Sequence, residues 1–111
     1  MAFHAAVVAL EIIRSVRGVL LTIRKEDGPL ADQARRAATS VALNVEEGNR
    51  REGRDRRQLW RVAAGSAAEL RSALQQALAW GYVDGTAVAA PLALIDRELA
   101  LLWKLTHPAG A

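Results

Sequence analysis

Cysteine is missing from this 111-residue chain. That removes disulfides, thiolate metal ligands and cysteine nucleophiles together, and it agrees with a reducing compartment. Aromatic residues make up only 5%, with three Trp, one Tyr and one Phe; β-branched residues are also sparse beside alanine, which leaves little material for strands and favours helices. Lysine is nearly absent, since Lys25 and Lys104 are the only two among 15 basic residues. No apolar run reaches membrane length: Glu11, Arg14 and Arg17 interrupt the first one, and no basic segment precedes it as in a secretory leader. The chain is therefore expected to be soluble, cytoplasmic and free of membrane contact.

The usual marks of catalysis are missing as well. His4 and His107 sit near the two ends, and neither has a glutamate three residues before it, as the metal sites of bundle enzymes require. There is no glycine-rich phosphate loop, and no nucleophile stands beside a legible general base. The expectation is a protein that is not an enzyme and holds neither metal nor cofactor.

What the chain has is alanine, leucine and arginine. Apolar residues reach 51%, the net charge is +3, and this length suits one domain with a modest core. Glycine and proline divide it into four helices at about 2–25, 29–47, 54–80 and 86–106, with a tail at 107–111. Asp27-Gly28-Pro29 should close the first helix through a left-handed glycine and open the second with proline. Gly48 should close the second, Asn49 to Gly53 should form an exposed connection, and Gly81 should end the third. Asp84 or Thr86 can cap the fourth, with Pro91 near its first turn. Short connections between long helices predict an all-α, left-handed, up-down-up-down antiparallel four-helix bundle. Gly18 and Gly65 read as close helix-packing points.

Helices 1 and 4 are more apolar than one bundle seam requires. On helix 1 the polar positions Glu11, Arg14, Gly18, Thr22 and Lys25 form one narrow stripe. Helix 4 carries a seam of Val88, Leu92, Ile95, Leu99 and Leu102 and a second of Leu94, Leu101 and Leu105, with Trp103 nearby. A second seam suggests a subunit interface, so self-association through Leu94, Leu101 and Leu105 is expected.

Helix 2 carries a continuous polar stripe, Gln33, Arg36, Ser40, Asn44 and Glu47, and helix 3 can turn Ser66 and Glu69 toward it. This set is expected to be a structural polar seam that fixes helix register, with Arg36 and Glu69 as partners, rather than an active site.

The run Arg35-Arg36-Ala37-Ala38-Thr39-Ser40-Val41-Ala42-Leu43-Asn44-Val45-Glu46-Glu47-Gly48, followed by Arg50-Arg51, resembles the signature of a bacterial family of four-helix-bundle proteins. Trp60, Ala64-Gly65-Ser66 with Glu69, and the Gly81-Tyr82-Val83 turn extend the likeness over about residues 33–84. The family includes proteins encoded in intervening sequences of large-subunit ribosomal RNA genes and the accessory variability determinant of diversity-generating retroelements. The resemblance implies a homopentameric barrel and, in the retroelement branch, a basic surface for nucleic acid and association with a reverse transcriptase.

The residues themselves point the same way through Arg50, Arg51, Arg54, Arg56, Arg57 and Arg61, opposed within that stretch only by Glu52 and Asp55. Arg54, Arg57 and Arg61 share one helical face. With Arg50 and Arg51 they are the expected contacts to RNA or DNA phosphates, giving salt-sensitive binding with little base readout. Two other readings stand beside it: a solvated helix start whose arginines pair with neighbouring acids, and an oligomeric scaffold whose arginines dock an acidic protein.

Overall fold

Asp27 alone separates the first two helices. The computed structural model describes residues 1–109 and forms four helices, α1 (Ala2–Glu26), α2 (Gly28–Asn49), α3 (Gly53–Trp80) and α4 (Gly85–Thr106). The Asp27 backbone N–H donates to the Ile23 carbonyl at 2.8 Å, while its carboxylate accepts the Leu30 amide at 3.0 Å. A carboxylate cap thus replaces the expected left-handed exit, because Gly28 is already helical and has no positive φ. Pro29 lies in the first turn of α2, where its missing N–H leaves no bond unmade.

The other corners are also built from local chemistry. Gly81 takes the left-handed conformation at φ 81°, which a side chain would resist, and the Tyr82 amide closes the turn on the Ala77 carbonyl at 2.9 Å. The Tyr82 hydroxyl then donates to the Asp27 carboxylate at 3.3 Å, tying the α3–α4 corner to the α1–α2 corner. Asp84 caps α4 by accepting the Ala87 amide at 2.9 Å. Pro91 lies inside α4 rather than in its first turn, and it is buried. Gly53 opens α3 at φ 59°. Of the expected tail, His107 to Ala109 are not helical, and Gly110 and Ala111 lie outside the described residues.

Each helix packs on the next and α1 closes against α4, giving an all-α four-helix bundle of 45 × 20 × 19 Å. The core is lined at spacings of three and four by Val8, Ile12, Val16, Val19 and Ile23 from α1, Val41 and Val45 from α2, and Leu70 and Leu74 from α3. Alanine takes much of the remaining buried surface on α2 and α3, including Ala34, Ala37, Ala63 and Ala67. Gly18 and Gly65 are not packing points: both are exposed, and a Cβ at either would meet nothing within 4 Å. Among the described residues no helix is long and apolar enough to cross a membrane.

Helix α4 is turned differently from the expectation. Its buried line is Val88, Pro91, Ile95, Glu98 and Leu102, whereas Leu92 and Leu99 are half-buried on one flank. Leu94, Leu101 and Leu105 are half-buried on the other flank and pack against the chain's own core. At about 100° per residue the two apolar seams lie about 120° apart, and the line that bisects them is the one carrying Pro91 and Glu98. Turning both seams toward the bundle therefore drives Glu98 into its centre. The large apolar side chains that these two helices leave exposed are Phe3, Val7, Leu10 and Leu21 on α1 and Trp103 on α4, while Leu43 on α2 and Val62, Leu78 and Trp80 on α3 are exposed as well. Trp103 stacks on His107 with ring centroids 4.4 Å apart.

Glu98 is 0% exposed, and among the described residues neither carboxylate oxygen has a hydrogen-bond partner. Burial pushes its pKa from the ordinary 4.5 up to about 8, with no charged neighbour contributing. Below pH 4.5 both folded and unfolded chains hold the proton, and the site imposes no titration penalty. Between pH 4.5 and about 8 the unfolded chain releases the proton while the folded one keeps it, so stability falls as pH rises. The slope is about 1.4 kcal/mol per pH unit, flattening above the folded value. Glu98→Gln should remove most of that slope: thermal melts at pH 5 should nearly coincide with wild type, and at pH 9 the variant should melt higher. Equal pH dependence in the two proteins would show that Glu98 does not titrate in the core.

Candidate nucleic-acid interface

The α2–α3 corner is organised by a tryptophan lying on a glycine. Gly48 remains inside α2, where a Cβ would come within 2.7 Å of Trp60 Cδ1 and Nε1. Its role is close approach to an aromatic ring, not the helix stop expected from the sequence. Asn49 follows as the last helical residue and is half-buried rather than part of an exposed connection. Its amide oxygen accepts the Trp60 indole N–H at 3.3 Å, and its Nδ2 donates to the Ala2 carbonyl at 3.3 Å, which ties the corner to the start of α1.

Arg56 completes this clasp. Its Nε donates to the Gly48 carbonyl at 3.1 Å and its Nη2 to the Asn49 carbonyl at 3.2 Å. The guanidinium lies 5.3 Å from the Trp60 ring centroid. A cation here satisfies carbonyls at the C-terminus of α2, the end where the helix dipole favours positive charge. Arg56 is thereby withdrawn from the arginine cluster. Sequence reasoning counted it with the other bases; the available signal was its spacing of four from Trp60, which puts both on one face of α3.

The remaining arginines divide into two groups. Arg50 and Arg51 share Glu47, at 2.5 Å and 3.0 Å, and together they hold its carboxyl below the usual range, Arg50 contributing first. For these two the paired, solvated arrangement holds. Arg54, Arg57 and Arg61 are exposed along α3 at spacings of three and four and make no salt bridge or side-chain hydrogen bond among the described residues. They begin in the first turn of α3, whose dipole already places partial positive charge there. That location does nothing for helix stability, and it concentrates positive potential on one outward face.

The expected polar seam is only partly assembled. Ser40 and Ser66 hydroxyls meet at 2.7 Å across α2 and α3, and Asn44 Nδ2 donates to the Ser40 carbonyl at 2.8 Å and to its hydroxyl at 3.1 Å. Arg36 and Glu69 are exposed, and no hydrogen bond or salt bridge joins them. Long side chains at the edge of the helix pair reach water and have no need of each other, whereas the short serines between them do. Glu47 turns away from the seam toward Arg50 and Arg51. Neither histidine joins a polar cluster of catalytic type: His4 Nε2 meets Arg97 Nη2 at 2.6 Å, and among the described residues no three His, Asp or Glu side chains could share a metal ion.

The family model described as 23S rRNA-intervening sequence protein matches residues 4–104. No curated protein matches the chain in sequence. A crystal structure of a protein of unknown function from the S23 ribosomal protein family of Bacteroides thetaiotaomicron superposes with a TM-score of 0.82 at 19% identity, covering 92% of this chain and 97% of that one. At that identity the likeness is one of fold.

The clasp and the seam yield contrasting expectations for stability. Gly48→Ala forces the Trp60 ring to move and should cost about 1–3 kcal/mol in urea unfolding, the usual range for overpacking. Arg56→Gln removes two charge-assisted bonds to the Gly48 and Asn49 carbonyls and should cost a similar amount, about 1–3 kcal/mol. Glu69→Ala should change stability by no more than about 0.5 kcal/mol, as at other exposed positions. A large loss at Glu69 with none at Arg56 would reverse the assignment of structural roles.

Proposed function

The chain belongs to the 23S rRNA-intervening sequence protein family, and from that premise we propose that it is a non-enzymatic, oligomeric nucleic-acid-binding protein that contacts phosphates through the outer face of its α2–α3 corner. The observation that carries this reading is that Arg54, Arg57 and Arg61 stand exposed on one face of α3 and form no salt bridge among the described residues. A guanidinium presents a planar fork that matches phosphate oxygens with paired hydrogen bonds. No aromatic side chain interleaves with these arginines on the exposed face, since Trp60 is buried under the clasp. Binding is therefore backbone-directed, tolerant of sequence and without base stacking.

Assembly multiplies the patch. The exposed Phe3, Val7 and Leu10 on α1 and Trp103 on α4 supply an apolar surface for self-association, and the family resemblance implies a homopentamer. A closed ring of identical subunits repeats the three arginines around its axis, so a chain of small net charge presents a large combined field. The role that such a ring fits is that of a cytoplasmic, cofactor-free accessory to the reverse transcriptase of a diversity-generating retroelement, holding RNA or DNA. A second reading, a scaffold that docks an acidic protein on the same corner, is favoured by one feature: Arg50 and Arg51 already grip a carboxylate, that of Glu47.

Replacing Arg54, Arg57 and Arg61 by glutamine should leave helical content and oligomer mass unchanged and weaken binding to unrelated oligonucleotides alike. Each phosphate no longer neutralised should reduce the slope of log affinity against log salt by about 0.9 on duplex DNA or about 0.7 on single strands. Unchanged affinity and slope would exclude this face and leave the scaffold reading in place. For assembly, light scattering should give a multiple of the chain mass at micromolar protein, reduced by Val7→Glu with Leu10→Glu while the helical signal persists. A monomer mass for the wild type would remove the oligomer from the proposal.

A further inference from the structure

A second surface, sharing no residue with the α2–α3 corner, lies in the groove between α1 and α2. The groove encloses about 560 Å³ and opens to solvent along its length. Its floor is apolar, formed by Ile13, Val16 and Leu20 from α1 with Ala38 from α2, and Leu21 stands on the rim at 66% exposure. Its banks are basic. Arg17 and Arg24 flank it from α1 and Arg35 from α2. Arg24 is occupied by Asp32 at 2.7 Å, whereas Arg17 and Arg35 are exposed and form no salt bridge among the described residues. From Ile13 to Arg24 the groove runs about 16 Å, three turns of a helix laid along it.

Apolar floor and basic banks together select the occupant. A phosphate backbone would gain from Arg17 and Arg35 but nothing from Leu20 and Leu21, and no aromatic side chain in the groove could receive a base. A second copy of the chain fits poorly. Its exposed apolar residues on α1 and α4 are close in sequence to His4, Arg14 and Lys104 as well as to Glu11, so that face offers more base than acid to the groove's arginines. What complements the groove is a short helix with apolar residues at spacings of three and four along one face and carboxylates on both sides of them.

We propose that the α1–α2 groove is a docking site for an acidic amphipathic helix of a different protein, its apolar side chains lying over Ile13, Leu20 and Leu21 and its carboxylates meeting Arg17 and Arg35. Charge complementarity of this kind sets partner choice and encounter rate, while the apolar floor retains the bound helix.

The probe is a fluorescein-labelled synthetic helix of about four turns with leucines along one stripe and glutamates on both flanks, and a second peptide in which every glutamate is lysine. Fluorescence anisotropy at physiological salt should show the acidic peptide binding wild type and the lysine peptide failing to bind. The double variant Arg17→Glu with Arg35→Glu should weaken the acidic peptide at least about tenfold and bind the lysine peptide instead, a reversal of charge preference that loss of folding cannot produce. Leu21→Gln should weaken the acidic peptide while keeping its preference for the arginine-bearing groove. Equal binding of both peptides to wild type, no binding of either, or an unaffected double variant would each overturn the proposal. So would a double variant that loses oligonucleotide binding or changes oligomer mass while retaining the acidic peptide, since the groove would then serve phosphate or a second copy. Arg54, Arg57 and Arg61 are untouched in these variants, so failure here leaves the nucleic-acid reading standing.

Discussion

The approach of the Trp60 ring to the Gly48 backbone governs the whole α2–α3 corner. Only glycine permits it, because a Cβ would sit 2.7 Å from the indole. With the ring seated, the indole N–H reaches Asn49, Asn49 reaches the Ala2 carbonyl, and Arg56 folds back over the ring onto the Gly48 and Asn49 carbonyls. Three helices are thereby joined at one point by side chains from a short stretch of sequence. The consequence for the surface is geometric: with Trp60 turned inward, the face of α3 bearing Arg54, Arg57 and Arg61 is turned outward.

At the middle of the bundle the forces are less well matched. Two apolar seams on α4 are both drawn toward the other helices, and the position between them is occupied by a carboxylic acid with no hydrogen-bond partner among the described residues. The hydrophobic gain from half-burying residues such as Leu92, Leu94, Leu99 and Leu101 must exceed the cost of carrying Glu98 inward, and protonation lowers that cost by removing the charge. Small domains have little stability in reserve. A core acid that becomes harder to accommodate as pH rises therefore places a bound on how loosely the rest can be packed, and the tightly seated corner and the Asp27–Tyr82 tie act against that loss.

Much of the fold was legible in the sequence where the cause is local. Four helices, the Gly81 stop of α3, the Asp84 cap and the proline opening α2 all follow from residues within a few positions of one another. The sharing of Glu47 by Arg50 and Arg51 is local in the same sense. Illegible features depend on how a helix is rotated or on what meets it from afar. Glu98 went unread because Val88, Ile95 and Leu102 read as one seam with Leu92 and Leu99, and only the balance of both seams selects the line through Pro91 and Glu98. Arg36 and Glu69 misled because polar residues level with each other on neighbouring helices need not face each other; Ser40 and Ser66, shorter and nearer the contact, do. Arg56 looked like one more surface base, and nothing short of Trp60's position distinguishes it from Arg57.

That distinction between adjacent arginines offers the most direct test of the central claim, that the free face of α3 and not the clasp meets nucleic acid. Arginine Nε–H resonances of the wild-type protein can be followed by NMR as a short oligonucleotide is added. Signals of Arg54, Arg57 and Arg61 should shift in a saturable way that salt reverses, while Arg56, held on the Gly48 carbonyl and over the Trp60 ring, should stay in place. Shifts confined to other arginines, or none at saturating oligonucleotide, would contradict the claim.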